Sequence, residues 1–245
     1  MENQQSEETE IVRAPLTPQE KQRQAMRQSV RFFYDLQKSR IQNGNRSTSN
    51  TVVLDKAMVV HGEKRSEMLL QLEKNELKII GKLLKTHKIS EWLLSQRGIG
   101  PTMAGVIVAE VDISRANTPS SLWKYCGLHT HADGKAARPV KGQKHDYNAF
   151  LRTKLVGVAA DCMIKANSPW RKFYDDYKHR KMSAGWGKSD GHRHRAAIRY
   201  MMKMFLLELY KQWRVLEGLP VPDKTYAEAY LGVAHGQHAG TVQQP

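Results

Sequence analysis

Apolar residues recur along this chain at intervals of three and four, and no stretch alternates convincingly over the length of a strand. From 22 to 41, Met26, Val30, Phe32, Phe33 and Leu36 fall at roughly helical spacing. The polar run NGNRSTSN (43–50) has turn chemistry and reads as a linker. A long amphipathic helix is expected next, starting near Leu54 or Gly62 and ending at Lys85. Leu69, Leu72, Leu77, Ile80 and Leu84 form its apolar face. Its repeat is short for a dimerising coiled coil, so packing within the chain is the favoured reading and a homodimer the alternative.

Shorter helices are expected over 89–96, 101–111 and 119–125, the last with Thr118 as N-cap and Pro119 in its first turn. The Gly-, His- and Lys-rich stretch 128–144 has no period and reads as a loop. Helix returns over 146–166, with Phe150, Leu151, Leu155, Val158, Cys162 and Met163 on its inner face. Ser168-Pro169 opens another through Trp170, Phe173, Tyr174 and Tyr177. After SAGWGKSDG (183–191), read as flexible, Ile198, Met201, Met202, Phe205, Leu209 and Trp213 make the clearest buried stripe. The expected fold is all-α, with no internal repeat. It divides into an acidic disordered tail (1–20), a helical extension (21–88), a helical domain (89–215) and a tail (216–245).

Charge sharpens this picture. The 245 residues carry a net +15, yet residues 1–20 carry five Glu against one Arg. Between 135 and 214 stand nineteen Lys and Arg against six Asp and Glu. Such an excess opposes a compact fold unless a polyanion relieves it, so nucleic acid is the first partner to consider. Cys126 and Cys162 sit among apolar neighbours in sequence, which argues against a disulfide framework. No apolar run reaches membrane-spanning length, and MENQQSEETE is neither signal nor transit peptide. A cytoplasmic protein, nucleoid-associated if bacterial, is expected, with no membrane partner.

The turn Gly98-Ile99-Gly100-Pro101 joins the first two short helices. A hydrophobic residue between two glycines, flanked by short apolar helices, is the pattern of a helix-hairpin-helix. Glycines allow backbone angles and approaches that a Cβ forbids, and Ile99 can plug between the helices. Pro101 at the helix start costs no hydrogen bond, and the unpaired amides beyond it attract phosphate. Arg97, Gly98, Ile99, Gly100 and Thr102 are therefore candidate DNA-backbone contacts. Lys135, Arg138, Lys141 and Lys144 of the loop join them. So do Arg195, Arg199 and Lys203, spaced by four on one helix face opposite the Met/Phe/Trp stripe.

The stretch RGIGPTMAGVIVAEVDISRANTPSSLWKYCGL (97–128) closely resembles the start of the C-terminal domain of bridge-RNA-guided insertion-sequence transposases, the IS one-ten / one-sixteen group with its Piv-like relatives. The matching residues are Gly98-Ile99-Gly100-Pro101, Ala109-Glu110, Asp112-Ile113, Thr118-Pro119 and Tyr125-Cys126-Gly127-Leu128. Leu151-Arg152 and NSPWRKFYDDYK (167–178) continue it more loosely, so that it covers about 90–214. The resemblance implies DNA recombination by a mobile element.

It also implies two catalytic parts that the sequence does not supply. One is an N-terminal RNase H-like domain with four metal-binding acids. Residues 1–89 offer no strand–helix alternation, and Asp35 and Asp55 are their only aspartates. The other is a nucleophilic serine after the Gly-Leu. GLHTHADGKAARPVKG (127–142) contains none, Thr130 being its only hydroxyl.

The expected function is thus DNA binding related to transposases, without catalysis by the chain alone, and no catalytic residue is assigned. The alternatives are an active recombinase needing a partner or Mg²⁺, or a binder of structured RNA. No cofactor is expected otherwise. Cys126, His129, His131, His192 and His194 have zinc-ligand chemistry but match no standard spacing, so no metal site is assigned.

Overall fold

The computed structural model describes residues 15–49, 56–131 and 134–222. Most of the acidic tail (1–14), the helix start proposed at Leu54, the loop residue Asp133 and the tail from 223 lie outside the described residues.

Two long helices, α1 (Pro18–Ser49) and α2 (Lys56–Leu84), pair with each other and lean on the helix Pro101–Glu110. After α3 (Ser90–Ser95) and α4 (Pro101–Glu110) come a short 3-10 turn (Ile113–Arg115) and α5 (Pro119–Tyr125). A loop leads to α6 (Ala149–Lys154), which passes through a π-helical segment (Leu155–Ala159) into α7 (Ala160–Lys165). Then follow α8 (Arg171–Ser183) and α9 (Asp190–Leu216). Among the described residues there is no strand, only an isolated bridge between Thr130 and Ala136. The fold is all-α.

Boundaries differ from expectation where a side chain settles the local competition, as at α6, which starts at Ala149 after the Asn148 cap rather than at 146. The acidic tail gives way to helix at Pro18 rather than after residue 20. Glu20 accepts from the Thr17 amide while Thr17 Oγ1 accepts from the Glu20 amide, a reciprocal cap at 2.8 and 3.2 Å. Likewise 43–49 is helix, not linker. Asn43 is buried and donates to Gly62 O and Ser66 Oγ of α2, both at 2.7 Å. Arg40 grips the buried Glu73 of α2 through two nitrogens, which draws the polar run into the hairpin. At α5 the expected Thr118 cap is present, with Ser121 completing a capping box.

The centre of the molecule is α4, buried without interruption from Met103 to Glu110. An apolar helix of this kind must be enclosed, and α1, α2, α3 and α6 enclose it. A Cβ on Gly105 would stand 3.0 Å from both Ile80 of α2 and Val30 of α1, so the hairpin seats at that position. One hydrophobic cluster runs from Met26 through α4 to Trp213, so the helical extension and the following domain share a core. The wide π turn keeps Leu151, Leu155 and Ala159 on one buried side. The predicted stripe of α9 is buried throughout. Arg214 is buried with it, donating to the carbonyls of Ile113, Ala116 and Pro220. Cys126 is buried as expected, but Cys162 is exposed because it faces away from the core side of α7; both are free thiols.

Candidate nucleic-acid interface

The turn between α3 and α4 is built around three side chains. Ile99 is buried between the helices, and its amide donates to Gln96 O at 3.0 Å. Gln96 in turn accepts from the Trp170 indole at 3.1 Å, which ties the turn to the start of α8. Gly98 has φ +90°, and a Cβ there would lie 2.7 Å from the Met163 backbone. Gly100 differs from the sequence expectation. Its backbone is extended, and a Cβ would meet nothing within 4 Å, so neither conformation nor packing demands glycine. Beyond it, Pro101 occupies the first helical turn, while Arg97 and Pro101 are exposed and Thr102 is half-buried. The solvent-facing part of α4 is therefore its N-terminal end, where the helix dipole is positive.

Its opposite end is locked. Glu110 is buried and pairs with Arg31 of α1 at 3.0 Å and Arg27 at 3.4 Å, while Asn148 donates to it at 2.7 Å. Arg27 also donates to Ala109 O at 3.0 Å, capping the helix carbonyls. Asp112 pairs with Arg23 and accepts from Ser114, and these contacts hold its carboxyl below the usual range against the opposing effect of burial.

The basic loop has its roots at this second end. Asn148 caps α6 through Leu151 N and receives nothing from the turn 98–101. Ten residues of α4 therefore separate the two cationic regions, about 15 Å of helix. Lys135, Arg138, Lys141 and Lys144 are exposed. The loop base is closed by the Thr130–Ala136 bridge, and Thr130 is exposed.

The expected row Arg195, Arg199, Lys203 does not stand open along α9. Arg195 is exposed, but Arg199 donates to the carbonyls of Leu128 and His129 at 3.0 and 2.8 Å. It pins the loop root to α9. Lys203 is partly buried, its ammonium 5.3 Å from the Trp123 ring centroid. The face is not opposite the core because α5 and the loop cover it.

Burial, aided by Arg199, pushes the Lys203 ammonium down to about 8. Folded protein then binds fewer protons here than unfolded chain between pH 8 and 10.5, so stability rises with pH across that window. Below it the buried charge costs on the order of 3 kcal/mol or less. Lys203→Met is expected to raise the melting temperature at pH 7, and the gain should shrink steadily as pH climbs past 8. A melting series over pH 6–10 checks both sign and window; a destabilised variant at pH 7 would refute the assignment.

The loop histidines make a separate cluster. His129 Nε2 lies 3.2 Å from Asp146 Oδ2, and the His131 ring meets it edge-on at 5.0 Å. Burial lowers His129's proton affinity, and His131, Lys124 and Arg199 lower it further against the pull of Asp146. The Cys126 thiol is fully buried and its pKa is pushed far up, so it offers no thiolate. Among the described residues no group of three or more His, Cys, Asp or Glu side chains could hold a metal ion. The carboxylates at the end of α4, Glu110 and Asp112, are engaged by arginines.

Residues 90–175 match the transposase IS116/IS110/IS902 family. No curated protein matches the chain. The matched segment begins at α3, spans the turn, α4 and the basic loop, and ends within α8. The hairpin α1–α2 and the cationic helix α9 lie outside the matched segment, although both pack on it. Among the described residues no helix is long and apolar enough to cross a membrane.

Two features of this surface were not read from the sequence. Arg199 is a tether to the loop, which no spacing rule reveals because its acceptors are backbone carbonyls some seventy residues away. Trp186 lies inside the run 183–191, whose composition reads as flexible. Its flanking glycines were the available signal, since a tryptophan between two glycines is an unusual tenant of a plain linker.

Proposed function

We propose that this chain binds DNA through sugar-phosphate contacts without cutting it alone. In this reading α3, the turn and α4 act as a helix-hairpin-helix. Arg97, Gly98, Gly100 and Thr102 receive a phosphate at the α4 N-terminus, and Ile99 serves as the plug rather than a contact. Lys135, Arg138, Lys141, Lys144 and Arg195 extend the footprint, while Arg199 and Lys203 support it from behind. The observation that carries the proposal is that α4, otherwise buried, meets solvent at its positive end beside Arg97. Membership of the matched segment in a transposase family supports DNA as the polyanion. The absence of serine from 127–142 supports a non-catalytic role.

Backbone contacts favour shape over sequence, so bent or branched DNA is the expected target. The test is fluorescence anisotropy on duplex and four-way-junction probes across a salt series, with a Mg²⁺ cleavage assay alongside. Arg97→Ala should weaken binding on all DNA sequences alike and flatten the log–log salt slope by about one. Gly100→Val should weaken it at least about tenfold by covering the amides, with little change in melting temperature since its Cβ meets open space. Binding indifferent to both variants would reduce the turn to a connector, and strand cleavage would overturn the non-catalytic part.

A further inference from the structure

Trp186 stands on the surface between α8 and α9 with 39% of its area exposed, whereas the other four tryptophans are buried or half-buried. Exposing an indole to water is unfavourable, and holding it still there costs entropy as well. Yet the ring is held. Its amide donates to Lys181 O at 2.9 Å, and the His192 ring lies 4.9 Å away, tilted by 33°. The Lys181 ammonium sits 4.8 Å from its centroid. Left-handed Gly185 and Gly187 turn the chain on either side, and a Cβ on Gly187 would press on Arg193 at 3.2 Å.

The same ammonium lies 5.5 Å over Tyr177, which stacks on Tyr200 at 4.8 Å, with Arg180 over both rings. Rings and cations thus alternate from α8 to the turn. Between 171 and 195 there are eight Lys and Arg against three Asp. Two of those aspartates are already paired, Asp175 with Arg171 and Asp190 with Lys178.

We propose that Trp186, clamped between Lys181 and His192, is a stacking platform for an unpaired base, and that its ligand is single-stranded DNA. Every base offers a flat face to such a ring, and the neighbouring cations meet the phosphates. A base inside a duplex has both faces covered by its neighbours, so a paired segment gives the platform nothing to stack on. An apolar protein partner is disfavoured by the surrounding positive charge. The choice of DNA rests on the DNA-binding reading above, but the platform has its own readout.

The experiment measures anisotropy of a labelled oligo-dT, a duplex of equal phosphate count and an oligo-U RNA, with the full chain and its Trp186→Ala and Trp186→Phe variants. Loss of one stacked base is expected to weaken dT binding by roughly 5- to 100-fold in Trp186→Ala. Duplex binding should stay within about twofold, and Trp186→Phe should retain most dT affinity because a ring remains. Oligo-dT should also quench tryptophan emission in the parent and not in Trp186→Phe. Unchanged dT affinity in Trp186→Ala, or an equal loss on duplex, would overturn the platform. Tighter binding of oligo-U than of dT would overturn the choice of DNA. If the parent fails to bind duplex while dT binding still needs Trp186, the backbone-clamp reading fails and the platform stands.

Discussion

Gly98→Ala is expected to cost this protein about 2–5 kcal/mol of stability, and the bulkier Gly98→Val more. Two costs combine. At φ +90° any side chain strains its own backbone, at about 1–2 kcal/mol. The new Cβ would also lie 2.7 Å from Met163 Cα and N and 2.8 Å from Cys162 C, all main-chain atoms that no rotamer change can move aside. Forcing atoms into a filled site costs typically another 1–3 kcal/mol, and here α7 must shift to make room. Against a total of roughly 5–15 kcal/mol this is a large fraction. Urea unfolding of Gly98→Ala beside Gly100→Ala checks it. The two glycines look equivalent in sequence, but the second should cost under about 1 kcal/mol. Equal midpoints for the two variants would mean that the approach of the turn to α7 is not a constraint on the fold.

Removing Arg27 and Arg31 together should destabilise by about 3–5 kcal/mol, the penalty for leaving a buried carboxylate without its cations. Glu110 is the carboxylate. It ends α4, where the helix dipole is negative and disfavours an anion, so the arginines of α1 offset both the burial and the dipole. Among the described residues, Asn148 alone would remain to donate to its carboxylate. Neutralising the acid separates charge from packing. Glu110→Gln in the Arg27→Ala/Arg31→Ala background should recover a substantial part of the loss, whereas in the parent it should cost stability. A denaturation cycle over these variants gives the coupling directly. Additive costs with no recovery would show that the arginines contribute through their stems and not their charge. The pairing also gives α1 a reason to dock: Arg31 lies over Phe150 at 4.7 Å, and the Lys154 ammonium reaches the Tyr34 ring at 3.1 Å.

Much of the secondary structure was legible because its causes are local. The α9 stripe, the Thr118 cap and the Pro101 start need only near neighbours to be read. The reciprocal cap at Thr17 and Glu20 is equally local, although it lies inside a stretch whose acidic composition reads as a tail. The polar run 43–49 failed as a linker because its helix is stabilised by Gly62, Ser66 and Glu73, partners in another element. The resemblance to transposases was legible in residues 97–128, and the family match includes that stretch, because its motif residues lie close together in the chain.

The interface was less legible than the fold. Composition sets a large positive excess, but the sign of a residue does not say where its charge is used. Arg199, Lys203 and Arg195 share one spacing, yet they end as a loop tether, a half-buried ammonium over Trp123 and an exposed cation. Gly98 and Gly100 share one motif, and only the approach of α7 makes the first obligatory. The sequence by itself determined the helices, the α9 stripe, the basic balance and the Gly98–Pro101 turn, because each depends on residues close together in the chain, whereas Phe32, Leu72 and Val158, expected on buried faces, stand exposed. Tertiary structure alone decided which cations reach solvent, which glycine is indispensable and that Trp186 stands clamped in the open, because burial and pairing depend on elements that the chain brings together only when it folds.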